Sequence, residues 1–334
     1  MKKNNLQKKP TVIDLFCGAG GLSEGFKKSG YQVLLGIDNI ETFIETFKKN
    51  HKNTIAVCED IRKIAVEDIK KRLANKSIDI IIGGPPCQGF SVAGRRDKKD
   101  PRNSLFVEFV RFVDGFRPKY FVMENVRGLL SMSTVNGEPV IEIIRKEFEK
   151  IGYEVDCRVL LAADYGVPQK RYRVIFIGTN TNKSITFPNP THSNKSQSEL
   201  FGKIFKEWVP VKNVLLKESE VDKNFFHSEK MIAGFRRRKK KNKSIGNGFG
   251  WQILNLDKPS YTISARYWKD GSDALVKYSD NKIRMLTPLE CARIQSFPDN
   301  YKFMGSKKEI YMQIGNAVPV LMAEAIANEI KKNL

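Results

Sequence analysis

Residues 83–91 read Gly-Gly-Pro-Pro-Cys-Gln-Gly-Phe-Ser, and Cys87 stands there as a candidate nucleophile. Two prolines stiffen the backbone just before the thiol, and the flanking glycines let a substrate come close. A cysteine at a strand end in a basic protein is poised to ionise and attack. Glu124-Asn125-Val126 close another apolar run, where a carboxyl group is suited to act as an acid. Residues 169–173 read Gln-Lys-Arg-Tyr-Arg. On a strand Arg171 and Arg173 point the same way and can clamp a phosphate or a base carbonyl. Asp14–Ser23, DLFCGAGGLS, is a glycine loop of the kind that lets backbone pack against a ligand at a helix N-terminus. Ser23 stands where a dinucleotide fingerprint has its third glycine, so that match is incomplete. Asp38, ending the next apolar run, can accept hydrogen bonds from both ribose hydroxyls. That suits NAD and S-adenosylmethionine alike.

These residues need a scaffold that brings them together. Thr11–Phe16, Tyr31–Ile37, Thr54–Val57, Ile78–Ile82, Tyr120–Met123 and Val174–Ile177 are short apolar strand candidates. Helical segments, such as Ser23–Lys28 and Leu105–Val113, separate them. The alternation predicts an α/β fold with a doubly wound, mostly parallel sheet. In such sheets ligands bind beyond the carboxyl ends of the strands. The glycine loop, Asp38, Asp60, the Pro-Pro-Cys loop and Glu124 all fall at those ends. After residue 185 the rhythm stops. Residues 186–285 gain polar, basic and aromatic side chains, and Gly234–Lys243 carries seven basic residues in ten. This region reads as a second, smaller domain. Regular texture returns at 286–334, with Pro288–Ile294 and Val320–Ile330 as helices, and this tail is expected to pack back on the first domain.

The chain has 334 residues and a net charge of +21, a surplus that points to a polyanionic partner. Five cysteines without a C-x-x-C pair indicate neither a zinc knuckle nor a dithiol site. Three histidines outside any motif weaken hydrolase chemistry built on a histidine base. No apolar run reaches 18 residues and the basic N-terminus does not read as a signal peptide, so a cytoplasmic protein is expected.

DLFCGAGG at 14–21, GGPPCQGFS at 83–91, ENV at 124–126, QKRYR at 169–173, RMLTPLECARIQSFP at 284–298 and QIGNAVP at 313–319 occur together in this order. The chain thereby resembles the cytosine-5 DNA methyltransferases of bacterial restriction–modification systems over nearly its whole length. The resemblance implies the S-adenosylmethionine-dependent methyltransferase fold over 1–185 and a target-recognition domain over 186–285. It implies methyl transfer to carbon 5 of a cytosine flipped out of duplex DNA. Cys87 would add to carbon 6, Glu124 would engage ring N3, Arg173 would contact the carbonyl O2, and Arg171 would hold the neighbourhood or a phosphate. S-adenosylmethionine, leaving as S-adenosylhomocysteine, would lie against Phe16, Gly18, Ala19, Gly20, Gly21, Asp38, Asp60, Ile61 and Pro86. Asn316 and Ala317 would reach its amino-acid end. The family's aromatic after the ribose-binding acid is replaced by Asn39, and Ile40 would supply the adenine contact. No metal is implied.

DNA contacts are expected from Gln88, Ser91 and Arg95 in the loop after Cys87. Thr262 and Ser264 are phosphate candidates, and Arg266, Tyr267 and Lys269 are candidates for reading bases. The basic run at 234–243 would add salt-dependent backbone affinity. Double-stranded DNA is the expected partner, alongside a restriction endonuclease of the same site that forms no stable complex. A nucleoid-associated monomer in the bacterial cytoplasm, without membrane contact, is expected. A tRNA-modifying branch shares much of this motif set, and the basic insertion favours duplex DNA. A nicotinamide oxidoreductase leaves the Pro-Pro-Cys loop unexplained, and a silent DNA-binding protein leaves Cys87, Glu124 and Arg173 unexplained.

Overall fold

The computed structural model describes residues 9–86, 103–134, 137–194, 205–244, 251–269 and 271–334. They form two compact units. The first holds the described residues up to Leu160, Tyr172–Pro188 and Ala323–Leu334; the second holds Leu161–Arg171 and Asn189–Met322.

In the first unit, β1 (Thr11–Leu15), α1 (Gly21–Lys28), β2 (Gln32–Asp38), α2 (Glu41–Asn50), β3 (Ile55–Cys58), α3 (Val66–Arg72) and β4 (Ile80–Gly83) alternate. They are followed by α4 (Asn103–Phe116), β5 (Tyr120–Val126), α5 (Val140–Lys150), β6 (Glu154–Leu161) and β7 (Tyr172–Thr179). The strands make one sheet in the order β3-β2-β1-β4-β5-β7-β6. β1 pairs in parallel with β2 and β4, and β5 pairs in parallel with β4 and antiparallel with β7. The mostly parallel sheet agrees with the alternation in the sequence. β1 and β4 are buried along their whole length, as a sheet covered on both faces demands. Phe106, Phe109 and Phe112 of α4 and Ile144 and Phe148 of α5 fill one layer of the core, with Phe148 stacked on Phe121 at 4.0 Å.

The chain leaves β1 toward β2 on one side, while β4 lies on the other. This is a switch point, where the loops after two adjacent strands part and leave a crevice. The glycine loop follows β1 and Gly84-Pro85-Pro86 follows β4, so the topology accounts for both motifs. Two elements differ from expectation. Glu124, Asn125 and Val126 lie inside β5 rather than beyond it. β6 is not among the strands read from the sequence, because this edge strand is only partly buried and its first five residues, EVDCR, break the apolar pattern.

The second unit contains β8 (His192–Ser193), β9 (Lys206–Glu207), α6 (Glu229–Ser244), β10 (Leu275–Lys277), β11 (Ile283–Met285), α7 (Pro288–Ile294) and α8 (Lys307–Asn316). The last helix, α9 (Val320–Lys331), begins here and belongs to the first unit from Ala323 onward. Residues 286–322, expected to pack back on the first domain, group with the second unit. Cys291, Ile294, Tyr311 and Ile314 from α7 and α8 pack with Val211, Ile263 and Tyr267 in the core of the second unit. A buried ion pair, Arg284 to Glu290 through two 2.8 Å hydrogen bonds, ties β11 to α7. The stretch Lys307–Lys331 is long and apolar enough to cross a bilayer by length and composition. Pro319 separates its two helices, and 67% of its most apolar window is buried inside the protein, as in a core helix.

Candidate active site

The chemistry-bearing groups of the first unit gather at the ends of β4, β5 and β7. Antiparallel pairing sets Glu124 opposite Ile175 and Val126 opposite Arg173. Glu124 and Arg173 thus lie diagonally on one face, within reach for long side chains. Arg173 Nε stands 2.5 Å from Glu124 Oε1, and both side chains are nearly buried. Arg173 Nη1 donates to the Tyr172 carbonyl at 2.8 Å. Gly84 gives the carboxylate its place, since a Cβ there would stand 2.9 Å from Glu124 Oε2. The next residue of β5, Asn125, is buried and donates its amide to the Pro85 carbonyl at 3.0 Å. That bond fixes the backbone two residues before Cys87. Its function was not read from the sequence, although Asn125 stands inside a quoted motif.

The loops after β1 and β2 form the second part of the site. Phe16 adopts φ 61°, a conformation L residues rarely take, and it breaks the line of β1 as the loop begins. The Cys17 N–H donates to the Ile37 carbonyl, tying the loop to the end of β2. Asp38 Oδ2 accepts from the Gly18 N–H at 2.9 Å and Oδ1 from the Ile40 N–H at 3.1 Å. Burial pushes the Asp38 carboxyl up, against the pull of these backbone donors. With the Asn39 N–H as a third backbone donor, the carboxylate keeps acceptor capacity for a ribose hydroxyl. Ile40 is 41% exposed and offers an apolar face to an adenine, and Pro86 is exposed beside the Pro85 anchor. This donor set fits an adenosine-bearing methyl donor. Ala19, Gly20 and Gly21 are buried in the turn into α1, and Asn39 is exposed. Asp60 accepts from the Arg62 backbone and guanidinium, which hold its carboxyl down to about 2. The Ile61 side chain is 3% exposed and belongs to the core, which leaves only its backbone to face a ligand.

Cys87, Gln88, Ser91 and Arg95 lie outside the described residues. The four other thiols are all held above the ordinary cysteine range, in each case chiefly by burial. Cys17 and Cys291 are the extreme cases, and none of the four is a ready thiolate.

Other predicted residues belong to the second unit. Arg171 precedes β7 and is 1% exposed. Its guanidinium donates to the Ile263 carbonyl at 3.1 Å and the Gly315 carbonyl at 2.8 Å. Arg171 stands just before β7 rather than on it, and its guanidinium holds the backbone of its neighbourhood. Gln169 accepts from the Ile263 N–H and donates to Gln295 Oε1, while Gln295 donates to the Ile314 carbonyl. Gly315 lies where a Cβ would stand 2.5 Å from the Ser264 and Ala265 backbone. Asn316 is exposed at the end of α8, and Ala317 closes the helix. Thr262 Oγ1 donates to the Lys170 carbonyl and Ser264 Oγ to Asp273 Oδ2, so both hydroxyl protons are engaged internally. Arg266 and Lys269 are exposed. Tyr267 is corrected as a base reader. It is 1% exposed, donates to the Ala274 carbonyl and accepts from the Leu286 N–H.

A family model described as C-5 cytosine-specific DNA methylase matches residues 10–332. The chain belongs to that family. It is a DNA cytosine-5 methyltransferase, and the family's methyl donor is S-adenosylmethionine. The methylase is 36% identical over 332 residues to Type II methyltransferase M1.HphI of Haemophilus parahaemolyticus, covering 96% of this chain and 87% of that protein. It is 37% identical over 372 residues to Type II methyltransferase M.DdeI of Desulfomicrobium norvegicum, covering 96% and 88%. Among solved structures, a putative DNA modification methyltransferase encoded within a prophage of E. coli superposes with a TM-score of 0.72 at 25% identity. That match covers 97% of this chain and 99% of the other. In this methylase the sequence motifs fall into two mechanical roles. Glu124, Arg173 and Asp38 present polar groups, while Asn125, Gln169, Arg171 and Gly315 hold backbone in place.

Proposed function

We propose that this methylase modifies carbon 5 of a cytosine flipped out of a short duplex DNA sequence, through a covalent bond between Cys87 and carbon 6. The observation that carries this reading is the Glu124–Arg173 pair, beside the Gly84-Pro85 backbone that leads to Cys87. Carbon 5 of cytosine is a poor nucleophile. Adding the Cys87 thiolate to carbon 6 makes the ring an enamine and carbon 5 electron-rich. Glu124 engages N3 and makes carbon 6 more electrophilic. Arg173 donates to O2, where negative charge develops. S-adenosylmethionine supplies an electrophilic sulfonium methyl, and Phe16, the 18–21 loop, Asp38, Ile40, Asp60 and Pro86 are the residues proposed to hold it. After methyl transfer carbon 5 releases its proton, the electron pair re-forms the 5,6 double bond, and Cys87 leaves. No step needs a metal.

Residues 186–285 serve as the recognition segment, with Arg266 and Lys269 reading bases and Gln88, Ser91 and Arg95 contacting the flipped nucleotide's surroundings. The chain acts as a cytoplasmic monomer, the modification enzyme of a restriction–modification system whose endonuclease shares the site without a stable complex. Its relatives' names as Type II methyltransferases support that role.

Duplex DNA carrying 5-fluorocytosine at the target tests the mechanism. Fluorine cannot leave carbon 5 as a proton, so the Cys87–carbon 6 bond should persist after methyl transfer. A denaturation-resistant adduct that needs the methyl donor and disappears in Cys87→Ala is expected. Active enzyme that forms no adduct on its own target would refute the covalent mechanism.

A further inference from the structure

α6 is built in two halves. Ile232 and Phe235 in its first half are buried in a small core with Trp251, Leu275 and Ile283. Its second half reads Arg236-Arg237-Arg238-Lys239-Lys240-Lys241, and all six residues are exposed. At 3.6 residues per turn, six consecutive cations encircle the helix rather than mark one face. Several solvating cations elsewhere in the described residues have an acid one helical turn away. Lys70–Glu67, Arg111–Glu108, Arg117–Asp114, Lys150–Glu147 and Lys332–Glu329 are all such pairs. α6 has no acidic residue after Glu229. Among the described residues, Arg237, Lys239, Lys240 and Lys241 make no ion pair. Arg236 donates to the Asp280 carbonyl at 2.6 Å, and Arg238 lies over the Phe235 ring.

Like charges one turn apart repel, and the negative end of the helix dipole offsets this only in part. A polyanion with closely spaced charge relieves the repulsion, and duplex DNA carries one charge per roughly 1.7 Å of its axis. A ring of cations has no face patterned for base edges, so it suits phosphates. We propose that residues 236–241 form a sequence-independent duplex tether, distinct from the side chains that read sequence, holding the enzyme on non-target DNA between encounters. This deepens the DNA reading given above and rests on it.

Binding to a short duplex without the target, titrated with salt and without methyl donor, tests the tether. For Arg237→Gln/Lys240→Gln/Lys241→Gln, the slope of log affinity against log salt should become shallower by about 2–3, at about 0.9 for each phosphate no longer neutralised. Arg237→Lys/Lys240→Arg/Lys241→Arg should keep the parent slope. Lys70→Gln/Lys146→Gln/Lys150→Gln removes the same net charge from ion-paired lysines and should also keep it. Lys240→Gln alone, shifting the slope by about one, covers the case in which the triple variant misfolds. A shift below about half a unit in the first triple, or an equal shift in the ion-paired triple, overturns the tether. So does loss of binding to phosphatidylserine vesicles with duplex affinity unchanged. A parent that keeps the salt slope but methylates no duplex would instead sink the proposed function.

Discussion

Arg173 Nε and Glu124 Oε1 meet at 2.5 Å because β5 and β7 run antiparallel with Val126 opposite Arg173. A parallel crossover at this position would carry the QKRYR motif to the other end of the strand. The reversed strand thus brings a cation and a carboxylate from distant stretches of sequence to one point. Glu124→Gln should lower kcat by about 10²–10⁴-fold, the scale of a lost proton-transfer group. Gly84→Ala should lower kcat about tenfold to a hundredfold, because its Cβ displaces the flexible end of Glu124. The melting temperature of Gly84→Ala should stay near the parent's. A fully active Gly84→Ala enzyme would show that the carboxylate's position is not critical.

Asn125→Ala removes the bond to the Pro85 carbonyl while leaving every proposed reacting group present. The expected result is a fall in kcat of about tenfold, on the scale of 1–3 kcal/mol for a lost buried hydrogen bond, with KM for DNA little changed. Single-turnover kinetics at saturating DNA read this directly. An effect confined to KM would assign Asn125 to binding instead.

Asp14 is fully buried, accepts from Ser23 Oγ at 2.6 Å, and burial pushes its carboxyl up to about 7. Unfolded, it titrates near the ordinary value of about 4. Between these values the native state keeps a proton that the unfolded chain has released. The resulting stabilisation is complete below about pH 4 and is lost as pH rises through about 7, by roughly 4 kcal/mol in all. Asp14→Asn should therefore gain stability relative to the parent from pH 5 to pH 8. Denaturant midpoints measured across that range would contradict this by running parallel.

Tyr267→Phe deletes the hydroxyl that joins the Ala274 carbonyl to the Leu286 N–H. It should destabilise the protein by about 1–3 kcal/mol and leave the methylated sequence unchanged. Arg266→Ala or Lys269→Ala should relax or weaken target choice. Denaturant unfolding and sequencing of the modified sites distinguish the two outcomes, and altered context in Tyr267→Phe would restore it as a reader.

The strands that carry Asp38 and Glu124 were legible because buried parallel strands are continuous apolar runs ending in polar residues. Asp38 was placed correctly at such an end. Glu124 proved to be inside its strand, since β5 continues three residues past its last apolar run to pair with β7. α6 escaped because six consecutive cations carry no apolar periodicity. Its two anchors, Ile232 and Phe235, reveal a helix only once the small core is known. Arg171 and Tyr267 look like ligand-binding residues by type. What buries them is packing against residues 263, 315 and 286, which no local pattern announces.

Gly315 and the Ser264–Ala265 peptide stand so close that no side chain fits between them. Exchange of residues at 266 or 269 therefore changes what is presented without moving the point from which it is presented. For anyone exchanging the proposed recognition segment between relatives, this crossing is a fixed index mark. A joint cut between 262 and 271, or beside 315, would shift the register, whereas joints outside both stretches would carry a new specificity on an unaltered mount.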